Sequence, residues 1–285
     1  MKKIGKFQID VVDTGGLALD GGAMFGVVPK ALWQKAYDEG DDKNRIPMAA
    51  RPLLVRWDDR VMLIDSGSGD KLGEKLESIY SIEHHKTSIR IGLQKYRLTP
   101  EDITDFVYTH LHFDHSGGST IIDNGDVIPV FSNAKHYVQK SQYYWAMNPT
   151  MKDRASFMKE NWEPVRASGT LELLDGNGEL YKGIEVITVD GHTKGMQMVK
   201  ISDENDTILF GADLTPTSAH ISYPFIMGYD NFPLTTLAEK EKYFPIAYED
   251  NWTIIFEHDA FCQAGKLGMN EKGIFVKEKF DISTF

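Results

Sequence analysis

The chain has 285 residues, 41% hydrophobic and 26% charged, the balance of a folded protein with a sizeable core and not of a disordered one. Its 42 acidic and 31 basic residues leave a formal net charge of −11, which argues against nucleic acid and against an anionic membrane surface as partners. The single cysteine, Cys262, excludes an internal disulfide framework and a thiolate-rich zinc site, and reads as a small buried apolar residue.

Lys2, Lys3 and Lys6 make the N-terminus basic, but no apolar run follows, so no signal peptide is expected. No stretch approaches the roughly 18 apolar residues of a membrane span, and the cytoplasm is the expected compartment. Residues 4–12 read as a first strand. Residues 13–50 form a Gly-rich loop segment whose apolar middle, Ala23 to Pro29, suits a place near the functional site or a contact in a homodimer.

Leu53–Trp57 and Arg60–Ile64 read as a hairpin, ending in the polar turn Asp65-Ser66-Gly67-Ser68-Gly69. Helical spacing follows at 71–80 and 89–96. Thr99-Pro100-Glu101-Asp102 has a capping Thr, a first-position Pro and acids facing the positive helix end. Further strands are expected at 106–108, 137–138, 184–189, 196–201, 207–210 and 252–256. Helices are expected near 141–147, 155–162 and 237–248. Strands cluster instead of alternating strictly with helices. This predicts one α+β domain over 1–285, an αββα sandwich of two mixed sheets with helices on the outer faces.

The sharpest motif is Thr109-His110-Leu111-His112-Phe113-Asp114-His115-Ser116-Gly117-Gly118, directly after the strand at 106–108. Alternate residues of an extended chain point the same way, so His110, His112 and Asp114 are expected on one side, with His115 at the turn. Three imidazoles and a carboxylate in six residues suit zinc or a similar divalent ion. Three more strand ends each carry one such side chain: His192 after 184–189, Asp213 after 207–210 and His258 after 252–256. Alone, each is weak, since a lone strand-end His is more often a hydrogen-bonded structural residue. His84, His85 and His136 lack such context and read as solvated or structural.

This pattern, His-x-His-x-Asp-His, then Gly-His-Thr, Gly-Ala-Asp and a late His, resembles the metallo-β-lactamase superfamily. Gly21 to Lys30, with Leu32-Trp33, resembles more narrowly its N-acyl-homoserine lactonase branch, and is similar to organophosphate-hydrolysing relatives. The resemblance implies two divalent metals, zinc the first candidate. His110, His112 and His192 would hold one, Asp114, His115 and His258 the other, and Asp213 both. It implies a bridging hydroxide that opens a lactone or ester, N-acyl-homoserine lactones being the leading substrates. Asp114 then has a second part as acceptor of the nucleophile's proton. A phosphotriesterase is the alternative, and a metal-binding protein without turnover the rival from another class. Asp65 is a candidate to orient a ligand His, with an Asx turn as its plain reading.

In homoserine lactonases a Tyr three residues beyond the bridging Asp helps bind the substrate carbonyl; Pro216 stands there in this chain. His220 is the candidate catalytic donor in its place, with Tyr223 as the alternative and plain packing as the other reading of His220. Met24, Phe25, Trp33, Tyr223, Phe225 and Phe232 are candidates for an apolar pocket wall, each also readable as core.

Overall fold

A computed structural model describes residues 2–82 and 88–282; His84 and His85 lie outside the described residues. Contacts group the chain into two compact units, Met1–Leu17 with Ala49–Gly176, and Ala18–Met48 with Asn177–Phe285. Each is built on a mixed seven-stranded sheet with helices, an α+β arrangement.

The first unit's sheet runs in chain order: β1 (Lys2–Ile4), β2 (Phe7–Val11), β3 (Leu53–Trp57), β4 (Arg60–Ile64), β5 (Asp105–Val107), β6 (Lys135–Gln139) and β7 (Leu171–Leu174). The first four are antiparallel; β4 to β7 are parallel. The single strand expected over 4–12 is a hairpin, because Gly5 turns the chain in the left-handed region (φ 51°) and pairs Ile4 with Phe7. Asp58, at φ 47°, does the same for the expected hairpin of β3 and β4, where Trp57 faces Arg60. Residues of β5 are buried throughout, as a central strand between parallel neighbours requires. A further ribbon, Thr120–Asp123 with Asp126–Pro129, turns on Asn124-Gly125, both at positive φ.

The core of this unit gathers Leu54, Leu63, Phe106, Tyr108, Phe131, Val138 and Trp162. Full burial of each large apolar side chain contributes about 2 kcal/mol. Thr99 N–H donates to Asp102 (2.7 Å) in the expected capping box, which opens only a 3-10 turn, Pro100–Asp102. The helix expected at 155–162 is two 3-10 turns, Arg154–Ser156 and Lys159–Asn161, followed by a helix at Glu163–Ala167. Pro164 in that helix's first turn has no N–H to continue a helix from before it. His136 is structural, as read: it is buried, its Nδ1 meets Thr170 Oγ1 (3.1 Å), and burial pushes it down to about 4.

The second unit's sheet is β8 (Gly178–Tyr181), β9 (Ile184–Val189), β10 (Met196–Ser202), β11 (Thr207–Phe210), β12 (Thr253–Ile255), β13 (Ala264–Asn270) and β14 (Gly273–Phe280), again in chain order. Only β11 and β12 are parallel. They are joined by the long helix Pro233–Glu249, which starts at a proline four residues before the expected start. Its core includes Val189, Met198, Leu209, Phe244, Ile254 and Phe256, with Cys262 buried beside them. Burial and the nearby Asp259 push the Cys262 thiol up to about 12, so it is an inert apolar filler. Among the described residues no helix is long and apolar enough to cross a membrane.

Candidate metal centre

In the first unit the chain leaves β5, bends at Thr109 and reaches His112 in extended backbone (φ −66°, ψ 155°). His112 caps the short helix Phe113–Ser116. Extended alternation therefore ends at His112, and Asp114 comes from the helix's first turn, not from a continued strand. The glycines after it are needed for close approach. A Cβ on Gly117 would lie 2.0 Å from Ser68 O, and one on Gly118 2.4 Å from Ser66 O. The loop after β4 thus clamps the motif, and Ser66 N–H donates to His115 O (2.8 Å).

His110, His112 and His115 are buried. His110 Nε2 lies 3.0 Å from His112 Nδ1, and His115 Nε2 lies 3.9 Å from Asp114 Oδ2. Asp65, fully buried at the end of β4, sets two of these rings. It accepts from Thr109 N (2.8 Å) and Thr109 Oγ1 (2.6 Å), and it lies 3.0 Å from His115 Nδ1. The His115 proton therefore sits on Nδ1, leaving Nε2 with a lone pair. Thr109 Oγ1 has spent its proton on Asp65, so its contact with His110 Nδ1 (3.1 Å) is accepted from that ring, and His110 Nε2 is likewise left as a donor atom for a cation. Asp65 thus orients ligand candidates, as its first reading had it.

The second unit collects His192, Asp213 and His258 from three loops, after β9, β11 and β12, all buried. One oxygen of Asp213 lies 3.0 Å from His192 Nε2 and the other 3.2 Å from His258 Nε2. A carboxylate with a different imidazole at each oxygen could offer one oxygen to a cation on either side. Nδ1 of His192 meets Asp230 Oδ1 at 2.8 Å, which turns its Nε2 toward Asp213. Burial pulls His192 down, but Asp213 and Asp230 outweigh it and push the ring up to about 9. A buried imidazole held this way is stabilised by positive charge nearby, whether a proton or a metal ion. The donor set in each unit is imidazoles and hard carboxylates, with the second nitrogens of His110, His115 and His192 already engaged, and it fits zinc or a similar divalent ion.

His220 does not have the part expected of it. Nε2–H donates to Met24 O (2.8 Å), and Nδ1 accepts from the Thr217 hydroxyl (2.7 Å). The ring stacks on Phe25 (4.8 Å), which stacks on Trp33 (5.3 Å). Burial pushes it down to about 4. A neutral, buried ring with both nitrogens committed has no proton for a substrate oxyanion; it packs residues 21–37 instead. Met24, Phe25 and Trp33 are likewise core. Tyr223 is part-buried and stacked on Phe244.

Sequence reasoning missed Asp230, which follows no strand and carries no motif; only the need of a ligand His for an acceptor at its other nitrogen would have called for it. It also missed Thr109 and Glu239. Glu239 accepts from Asp190 N (2.6 Å) and Gly191 N (3.2 Å), just before His192.

The family model of the metallo-beta-lactamase superfamily matches residues 51–258. N-acyl homoserine lactonase from Bacillus thuringiensis is 26% identical over 170 residues, 59% of this chain and 60% of that protein. AttM, an N-acyl homoserine lactonase from Rhizobium radiobacter, is 24% identical over 56% of this chain and 59% of its own length. The chain thus matches about 60% of the length of these curated relatives. A probable metal-dependent hydrolase from Staphylococcus aureus superposes over 98% of this chain and all of its own, with a TM-score of 0.87 and 30% identity. AidC, a dizinc quorum-quenching lactonase, shares the fold at a TM-score of 0.80 and 21% identity, over 98% of this chain and 97% of its own. The pattern of His and Asp at successive strand ends, the two mixed sheets and the match over 51–258 agree: this chain belongs to the metallo-β-lactamase superfamily.

Proposed function

We propose that the chain is a dinuclear metal-dependent hydrolase that opens lactones or related esters, with N-acyl-homoserine lactones first among them. His110, His112 and His192 would hold one cation, Asp114, His115 and His258 the second, and Asp213 both. The observation that carries this reading is Asp213, whose two oxygens face two different imidazoles at 3.0 and 3.2 Å. The lactonase relatives support the substrate class.

Two bound cations supply a water acidic enough to ionise near neutral pH, and Lewis acidity toward a carbonyl oxygen. The chain's own residues do the rest. Asp65 and Asp230 fix ring tautomers, so that nitrogen lone pairs stand ready. Asp114, the most exposed of the ligand candidates, takes the proton from the nucleophile and returns it to the leaving alkoxide. Tyr223 is the candidate donor to the substrate oxygen.

A phosphotriesterase is the second reading, favoured by Pro216, where lactonases of this kind carry a substrate-binding Tyr. Metal analysis of carefully prepared protein is expected to give close to two divalent ions per chain. A panel of homoserine lactones, simple lactones, aryl esters and paraoxon then ranks the activities. If paraoxon outpaces every lactone, the second reading replaces the first; metal near zero ends both.

A further inference from the structure

The turn that carries His192 is held from behind by the long helix Pro233–Glu249. Glu239 receives the backbone N–H groups of Asp190 and Gly191, one on each carboxylate oxygen, at 2.6 and 3.2 Å. Gly191 sits directly on the helix's first turn: a Cβ there would meet Thr236 Oγ1 at 2.3 Å and Thr236 N at 2.5 Å. The incoming segment of the helix closes the grip. Phe232 N–H donates to Gly191 O (2.8 Å) and Asn231 N–H to His192 O (3.0 Å). From the front, Asp230 takes the ring's Nδ1.

Glu239 is an expensive choice for a mere loop tie. Burial raises its carboxyl above the usual range, the two N–H donors oppose this, and the charges of Asp190 and Asp230 raise it further. Two convergent N–H groups nevertheless call for two acceptor oxygens on one side chain, which a carboxylate offers and a carboxamide does not.

We propose that Glu239 is a positioning residue for the metal centre: it fixes the Asp190–Gly191 backbone so that His192 Nε2 is presented to the cation at a set angle. The inference rests on the reading of His192 as a ligand. Glu239 itself touches neither cation nor substrate.

The test is zinc affinity of the metal-free protein, measured by competition with a chromophoric chelator, beside the thermal midpoint of the same metal-free protein. Glu239→Gln leaves one N–H facing an amide instead of an oxygen. It is expected to weaken one of two zinc sites by about tenfold or more, the range for supports of a ligand, while the metal-free midpoint stays near the wild-type value. Glu239→Ala should weaken it further, and the exposed neighbour change Glu241→Gln should weaken it not at all. Cobalt substitution gives a second readout: the visible bands of one site shift in Glu239→Gln and not in Glu241→Gln. Unchanged zinc affinity overturns the proposal. So does an affinity loss that appears only together with a large fall in the metal-free midpoint, which marks a structural tie. A wild-type protein that binds no zinc would overturn this inference and the dinuclear reading together; wild-type and Glu239→Gln proteins that bind two zinc ions equally well would sink this inference alone.

Discussion

The two units prepare their ligand candidates in opposite ways. In the first, three imidazoles and Asp114 come from one six-residue stretch, and a single buried acid, Asp65, sets two rings at once, His115 directly and His110 through Thr109. In the second, each candidate comes from a different strand end, and separate side chains hold them: Asp230 on the His192 ring, Glu239 on its backbone, Asp213 between two imidazoles. A compact motif concentrates its support in one residue; a dispersed one spreads it. Failure of one support should therefore be broad in the first unit and local in the second.

The largest effect is expected where the dispersed set converges. Asp213→Ala removes a carboxylate whose two oxygens face two different imidazoles, so on the dinuclear reading metal content should fall from near two ions to below one, and activity roughly a thousandfold or more. Retention of two tightly bound ions would show that Asp213 does not bridge. Next come the two supports. Asp65→Asn cannot accept all three bonds that Asp65 now takes from Thr109 N, Thr109 Oγ1 and His115 Nδ1, because its amide nitrogen must face one of these donors, and it should cost near the upper end of a 10–100-fold loss in metal affinity. Asp230→Asn touches one ring and should stay near the lower end. Metal titrations of both variants check this, and the comparison breaks if Asp230→Asn proves the more damaging.

The same contrast decides what could be read from the sequence. The His110–His115 stretch announced itself because its ligand types are rare and adjacent, and strand ends could be inferred from the apolar runs before His192, Asp213 and His258. Asp65 was legible as a polar residue after a buried strand. Asp230 and Glu239 were not, because each meets its partner across a fold-dependent distance with no local pattern. Local backbone features were lost in similar fashion. Gly5 turns one expected strand into a hairpin, and Asn124-Gly125, a strong turn signal, closes a ribbon outside the expected strands. Pro164 moved a helix start eight residues along, from 155 to 163. His220 misled because it sits near Pro216 in the chain, whereas its ring is spent on Met24 and Thr217.

That reassignment predicts a stability effect in place of a catalytic one. His220→Phe keeps the stack on Phe25 but forfeits two buried hydrogen bonds and leaves Met24 O and the Thr217 hydroxyl without that partner, costing about 1–3 kcal/mol. Turnover per folded, metal-loaded molecule should remain within a few-fold of wild type. A hundredfold fall in turnover, with metal and fold intact, would return His220 to the chemistry.

Acid stability is where the two units should behave alike. His136 in one and His220 in the other are buried neutral, each pushed from 6.5 down to about 4. The unfolded chain takes up a proton at each ring below about pH 6.5, and the folded chain only near pH 4, so the unfolded state binds more protons in that window. Stability from this source is complete above pH 6.5 and is lost as the pH falls, to about 3 kcal/mol per ring by pH 4. Urea unfolding between pH 7.5 and 4.5 should thus weaken steadily, and His136→Phe, which cannot take up a proton, should remove one ring's share of the slope. An unchanged slope in that variant would mean that the acid response of the first unit comes from other groups.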